Sequence, residues 1–273
     1  MLSLDAWPLA DRQGITGVFT DIDDTLTTDG AITADALRAL ADLKAAGLQV
    51  VPITGRPVGW SEPFALAWPV DAIVAENGAV ALFRDQIGLQ PISGGRELLS
   101  KIYQQDRPTR LANYARMQQV AARIVREVPG TVISQDSPGR ETDIAIDHSE
   151  FVHLSPEAIA KAMQIMQSEG MNATVSSIHI NGWFGAHNKL AGARWIVREL
   201  FGRDLDTEIA SWVYIGDSTN DQLMFEAFPY SVGVANIRRF EADLSHKPRY
   251  ITNGERGAGF TEVAGALLEA RVA

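Results

Sequence analysis

The sequence predicts an α/β protein: a Rossmann-like, doubly wound parallel-sheet core interrupted by an inserted α+β domain. Three observations carry this. Two β-branched runs, ITGVFTD (15–21) and LQVVPIT (48–54), flank a stretch of helical apolar spacing, which is the βαβ rhythm that requires parallel pairing. The rhythm returns late, in SWVYIGD (211–217) and YSVGVAN (230–236). Between them, over about 85 to 185, helices and strands follow one another in a different order, as in an α+β domain. The predicted division is therefore a core of 1–84 plus 186–273 and a cap of 85–185.

Within the first unit Thr33 is the predicted N-cap of a helix on which Leu37, Leu40 and Leu43 recur with Ala36 and Ala41, and Gly47 occupies the C′ position that ends it. A second crossover runs through 58–67. DAIVAENGAVALF then carries two short strands around the turn-like Glu76-Asn77-Gly78. In the insert, helices are expected near 111–127 and 156–169, and strands near 131–135, 142–148 and 172–180. The later core continues with a helix over STNDQLMFEAF, a strand at RYIT and a closing helix over 258–270.

Composition narrows the partners. The chain has 273 residues, of which 46% are apolar, enough for a substantial core. It has no cysteine, so neither disulfides nor thiolate metal sites operate. The formal charge of −10, from 34 acidic and 24 basic residues, argues against nucleic acid or an anionic membrane as the main partner. The N-terminus lacks a basic segment followed by a long apolar one, and no run of 18 apolar residues occurs, so a cytoplasmic protein is expected.

The chemistry concentrates at strand ends. VFTDIDDTLT places Asp21, Asp23 and Asp24 within four positions of one another after an apolar run. Carboxylates so close repel by on the order of 4 kcal/mol per pair at about 4 Å and an effective dielectric of about 20, so a cation should compensate them. In an extended segment Asp21 and Asp23 point the same way. Ligands of open α/β sheets bind beyond the carboxyl ends of the strands, and Asp21, Thr54 and Asp217 all follow predicted strands there. A hard divalent cation such as Mg²⁺ between Asp21 and Asp217 answers the charge problem. Lys189, opening a predicted helix in HNKLAGARW, adds a point charge for a phosphate, and Thr54 and the amides around Gly55 can donate to the same oxygens.

Taken in order, DIDDTL (21–26), PITGR (52–56), Lys189 and GDSTND (216–221) resemble the four motifs of the haloacid dehalogenase superfamily. The long insert between the second and third motifs is similar to the C2 cap class, most of all the C2B type of sugar phosphatases. GDSTNDQLMFE with the later GERGAGF is similar to sucrose-phosphate and mannosyl-3-phosphoglycerate phosphatases. The resemblance implies a Mg²⁺-dependent phosphatase acting on a small phosphorylated substrate, a sugar or sugar-derived phosphomonoester. It implies that Asp21 attacks phosphorus and that Asp23 protonates the leaving alcohol and then activates water. It further implies that Thr54, Gly55 and Lys189 hold the phosphoryl group, that Asp21, the main-chain carbonyl of Asp23 and Asp217 bind the metal, and that Asp221 orients its waters. Ion-pumping relatives resemble the first motif but carry threonine at the position of Asp23, so the aspartate favours a phosphatase or a phosphomutase.

Other residues have two readings each. Arg56 is a substrate contact or, beside Pro57, a loop arginine. Arg140, Glu141 and Asp143 in GRETDIAID reach a sugar from the cap, or form an alternating exposed strand face. His179 and Asn181, in SIHINGW at the expected return to the core, line the pocket or fill a hinge, and Asn77 serves its turn first and the pocket second. A GK dipeptide and a GxSxG elbow are both absent from the sequence, which excludes a P-loop and a serine-hydrolase elbow. A phosphomutase of phosphomannomutase type, and a binding protein that retains the fold without turnover, are the rival readings.

Overall fold

The computed structural model describes residues 1–84 and 99–272. Six strands form the central sheet in the spatial order Leu2–Ser3, Tyr250–Ile251, Tyr230–Gly233, Trp212–Gly216, Gly17–Thr20 and Gln49–Pro52. Every neighbouring pair is parallel. From Gly17–Thr20 the chain steps outward to Gln49–Pro52, and after the insert it returns on the other side of its starting strand, at Trp212–Gly216. The order reverses between these two strands, which opens a crevice at their carboxyl ends.

Both sheet faces are covered, which explains why the strands read as continuous apolar runs. Val18, Val50, Val213 and Ile215 pack on one face with Leu40 and Leu43 of the helix Ala34–Ala45 and with Phe260 and Leu267 of the helix Arg256–Val272. Phe19, Val51, Trp212 and Tyr214 pack on the other with Ala193, Ile196 and Val197 of the helix Lys189–Phe201. Gly17 is required by its neighbour: a Cβ there would lie 2.2 Å from the Trp212 ring. Thr33 does precede the first crossover helix and Gly47, at φ +81°, follows it. The buried stripe differs from the expected one. It runs through Ala36, Ala39, Leu40 and Leu43, while Leu37 and Ala41 face solvent, because the sheet contacts a narrower arc than apolar spacing alone marks.

The crossover Val58–Ala67 is helical, and Ile73–Ala75 and Val80–Arg84 form a hairpin about Glu76–Gly78 as expected. The strand Leu99–Tyr103, which the sequence reading lacks, extends this hairpin into a three-stranded sheet. Next comes a four-stranded antiparallel sheet in the order Asn172–Val175, His179–Trp183, Ile144–Asp147, Val132–Ile133. The helices Arg107–Glu127 and Pro156–Ser168 cover one face, and Met117, Ile124, Ile146, Met166 and Ile180 make an apolar core of its own. Asp106 and Ser155 cap the two helices, accepting from the amides of Thr109 at 2.8 Å and Ala158 at 3.3 Å. The single strand expected over 172–180 is two, turning at Ser176-Ser177-Ile178. His179 and Asn181 therefore lie inside a sheet rather than at the return to the core. The predicted start of the insert, residue 85, lies outside the described residues. Among the described residues no helix is long and apolar enough to cross a membrane.

Candidate active site

The two central strands end side by side, so Asp21, following Thr20, and Asp217, following Gly216, meet at the crevice. The Asp21 amide donates to the carbonyl of Ile215 at 2.8 Å, which ties the two exits together. Beyond Asp217 the chain makes a tight turn closed by a capping box, in which Asp221 Oδ2 accepts from the amides of Asp217 at 3.0 Å and Ser218 at 3.1 Å. Lys189 arrives from the helix that follows the insert. Asn188 caps that helix by accepting from the Ala191 amide at 2.8 Å, and Lys189 Nζ lies 2.6 Å from Asp21 Oδ1 and 2.7 Å from Asp221 Oδ1. The helix start rests on the Glu76–Gly78 turn: Gly78 has φ +103°, and a Cβ on it would stand 2.2 Å from the Asn188 carbonyl oxygen.

The cluster is charged and buried. Asp21, Asp217, Asp221 and Lys189 are all at most 5% exposed, and carboxylate oxygens of the three aspartates lie within 4.8 Å of one another. Burial, helped by the charges of Asp221 and Asp23 and opposed by Lys189, leaves the Asp21 carboxyl raised to about 7. Asp217 is pushed well up by burial and by the charges of Asp21 and Asp221. Burial works against the Lys189 ammonium, but Asp21 and Asp221 outweigh it and hold the lysine protonated.

One lysine against three carboxylates leaves an excess of negative charge, and the donor pattern shows where a cation fits. Asp217 Oδ2 accepts from Asn236 Nδ2 at 2.9 Å, whereas its buried Oδ1 has no protein partner. Asp221 is already engaged on both oxygens, by Lys189 and Tyr214 on one and by two amides on the other. The orphaned oxygen of Asp217 and the adjacent Asp21 thus suit an oxygen-seeking divalent ion, with Asp221 as a fixed neighbour. Asn236 also donates to the Asp24 carbonyl at 2.9 Å and so ties the loop after Asp21 to Asp217. The sequence reading overlooked Asn236, Tyr214, Glu76 and Glu150. Asn236 alone had a signal, as a polar residue just beyond a strand end.

Asp23 faces the insert. Arg56 Nε donates to both its oxygens, at 2.9 and 3.1 Å, while the same guanidinium reaches Glu150 at 2.9 Å and Asp136 at 3.3 Å. Glu150 in turn meets His179 Nε2 at 2.8 Å. Arg56 is therefore 6% exposed and joins the core to the insert. Burial raises the Asp23 carboxyl and Arg56 opposes the rise. Thr54 is buried, its hydroxyl accepting from the Arg56 amide at 3.0 Å. The Gly55 carbonyl accepts from Arg140 Nη1 at 3.0 Å, Arg140 pairs with Asp143 at 2.7 Å, and Asp143 accepts from Asn77 and Asn181, each at 3.2 Å. Asn77 and Arg140 are thus brought together at the junction, and Asp143 is buried rather than on an exposed strand face, the strand beginning only at Ile144. Glu141 turns elsewhere, to Lys101, Tyr103 and Arg110. Glu76, fully buried, accepts from the amides of Val58 and Glu141 at 3.0 and 2.9 Å and anchors the same junction.

The parallel α/β sheet thus carries a buried aspartate–lysine pair at its switch point, a second aspartate two residues on, and an α+β unit with an apolar core of its own. The sequence model of the haloacid dehalogenase-like hydrolases matches residues 18–104 of this chain. A phosphoglycolate phosphatase of Methanothermobacter thermautotrophicus is 24% identical over 252 residues, covering 90% of this chain and 95% of its own. Among solved structures, a Thermoplasma acidophilum protein matches with a TM-score of 0.67 at 16% identity, covering 94% of this chain and 99% of that one. The sucrose-phosphatase of Synechocystis, solved with sucrose and phosphate, matches with a TM-score of 0.60 at 14% identity, covering 92% and 97%. A subclass IIB sugar phosphatase matches at 0.59 and 15%, covering 92% and 96%. At these identities the structural likeness shows the fold.

Proposed function

We propose that the chain is a Mg²⁺-dependent phosphatase of a sugar or sugar-derived phosphomonoester, working through an aspartyl-phosphate on Asp21. The observation that carries this is the 2.6 Å contact of Lys189 with Asp21 at the sheet's switch point, with Asp23 two residues further along the chain. Asp21 attacks phosphorus as the bond to the leaving oxygen breaks, and Asp23 delivers a proton to that oxygen. Asp23, now a carboxylate, removes a proton from the water that attacks the aspartyl-phosphate, which restores Asp21 and releases phosphate. Lys189, Thr54 and the Gly55 amide hold the phosphoryl oxygens, and Asp221 and Tyr214 keep Lys189 in place. Mg²⁺, held by Asp21, the Asp23 carbonyl and Asp217, would supply charge neutralisation.

The cap is taken as 85–185 and the core as 1–84 plus 186–273, a division supported by the separate apolar core of the insert. Arg56, reaching Asp136 and Glu150, then joins the acid–base residue to the closed cap. The test is phosphate release from a panel of phosphorylated sugars with Mg²⁺, together with intact mass of the acid-quenched protein. Phosphate released and a phosphate-sized mass gain that Asp21→Asn abolishes support the reading. Isomerised sugar without released phosphate supports a phosphomutase instead, and neither product overturns both.

A further inference from the structure

A cleft of about 370 Å³ opens over Asp23, walled by Asp23, Asp24, Asp29, Arg56, Glu150 and Phe151 among others. If the chain is a phosphatase acting through Asp21 and Asp23, this is where the leaving alcohol projects, because its oxygen must meet Asp23. Arg56 is the one basic residue among the described residues lining it, and each nitrogen of its guanidinium already faces a carboxylate. Nε is held by Asp23, Nη1 by Asp136 and Nη2 by Glu150, and the Trp60 ring lies 5.1 Å from the guanidinium carbon. The nearby cations are paired as well. Arg256 holds Asp24 and Asp29, Arg140 holds Asp136 and Asp143, and His179 meets Glu150. Lys189 is bound to Asp21 and Asp221. A carboxylate on the leaving group would thus face Asp29 and Glu150, while each of these cations already holds a carboxylate of the protein. A hydroxyl or an ammonium would find acceptors.

We propose, on the phosphatase reading, that the cleft selects against phosphorylated hydroxy acids and for esters whose leaving alcohol carries an ammonium group, with a neutral hydroxyl second. The particular class is a phosphorylated amino alcohol or amino sugar. The charge balance of the cleft thereby separates this chain from a phosphoglycolate-type substrate, whose leaving alcohol carries a carboxylate.

Three near-isosteric esters test this: 2-aminoethyl phosphate, 2-hydroxyethyl phosphate and phosphoglycolate differ mainly in the charge of the far end. Their kcat/KM values are measured with Mg²⁺ at pH 7 and low salt. For an ester that is not turned over, its inhibition constant against p-nitrophenyl phosphate hydrolysis takes the place of kcat/KM. The expected order is ammonium, hydroxyl, carboxylate, with about tenfold or more between the extremes, shrinking as salt is added. Glu150→Gln narrows the ratio, and so does Asp29→Asn, whose side chain is 81% exposed and tolerates the change. Phosphoglycolate equal to or better than aminoethyl phosphate overturns the proposal, as does a ratio that neither variant moves. Absence of hydrolysis of every ester, p-nitrophenyl phosphate included, strikes the phosphatase reading instead.

Discussion

Lys189 Nζ sits 2.6 Å from Asp21 Oδ1, across 168 positions of sequence, and both side chains are almost completely buried. Removing the cation should therefore do two kinds of damage. Lys189→Met is expected to lower turnover of p-nitrophenyl phosphate by about 10²–10³-fold, the typical loss for one electrostatic donor at a reacting centre. It should also cost about 3 kcal/mol of stability, because three buried carboxylates lose their only ammonium. Thermal unfolding and steady-state kinetics on one preparation check both; unchanged turnover would exclude Lys189 from phosphoryl binding.

The orphaned Oδ1 of Asp217 leads to a prediction of opposite signs. Chelation should abolish turnover and Mg²⁺ restore it, and Mg²⁺ at about 100 times its Kd should add about 2.7 kcal/mol to wild-type stability. Asp217→Asn should lose that increment and the activity, yet leave the metal-free protein no less stable than wild type, since it removes like-charge repulsion. Metal titrations followed by thermal unfolding decide it. A Mg²⁺ increment of full size in the variant would move the ion elsewhere.

Asp23→Asn keeps the size and the contact with Arg56 but loses the exchangeable proton. Turnover of a sugar phosphate should fall by about 10²–10⁴-fold. With an aryl phosphate, whose leaving group needs little protonation, phosphoenzyme on Asp21 should form and accumulate, visible by intact mass after acid quench. Near-normal turnover on both substrates would assign the proton transfers to another residue.

His187 is 4% exposed, both its ring nitrogens lack protein partners, and its ring stacks on Trp183 at 5.5 Å. Burial lowers its pKa to about 4 from the ordinary 6.5. The unfolded chain therefore binds more protons between these values, so this contribution to stability is complete above about pH 6.5 and is lost as pH falls toward 4. Its size is up to about 3 kcal/mol, from about 1.4 kcal/mol per pKa unit. His187→Phe retains the stacking and should lose less stability between pH 7 and 4.5 than wild type, as read by denaturant unfolding at each pH. Equal losses would mean that His187 is hydrated and protonates freely in the folded state.

Gly78→Ala places a methyl 2.2 Å from the Asn188 carbonyl oxygen at a backbone φ of +103°. Either the turn or the start of the Lys189 helix must move. A loss of about 2 kcal/mol or more is expected, with a fall in kcat larger than any rise in KM, because the displaced group is Lys189. Wild-type stability and kinetics would show that the turn does not position the lysine.

What the sequence by itself determined lies where chemistry follows local rules. β-Branched apolar runs and a 3.6-residue period located the core strands and crossover helices, and the rule that ligands gather at strand ends picked out Asp21, Thr54 and Asp217. Spacing could put Lys189 at a helix start, and burial then forces its charge onto Asp21 and Asp221. The tertiary structure decided what depends on meetings between distant segments. It split 172–180 into two strands, because the short turn Ser176-Ser177-Ile178 has neither glycine nor proline to mark it beside β-branched neighbours. It turned Glu141 toward Lys101 and Tyr103 while Arg140, next to it, became the link from the insert to Gly55, a choice set by which partner each extended side chain can reach. It also spent the guanidinium of Arg56 on three carboxylates that lie 33, 80 and 94 positions away, and so fixed the charge of the cleft over Asp23. Motifs name the groups gathered at the crevice because those groups sit on a few rigid strand ends. The cleft over Asp23 is walled by core and insert together, and its charge is a sum over pairings that no single stretch of sequence contains.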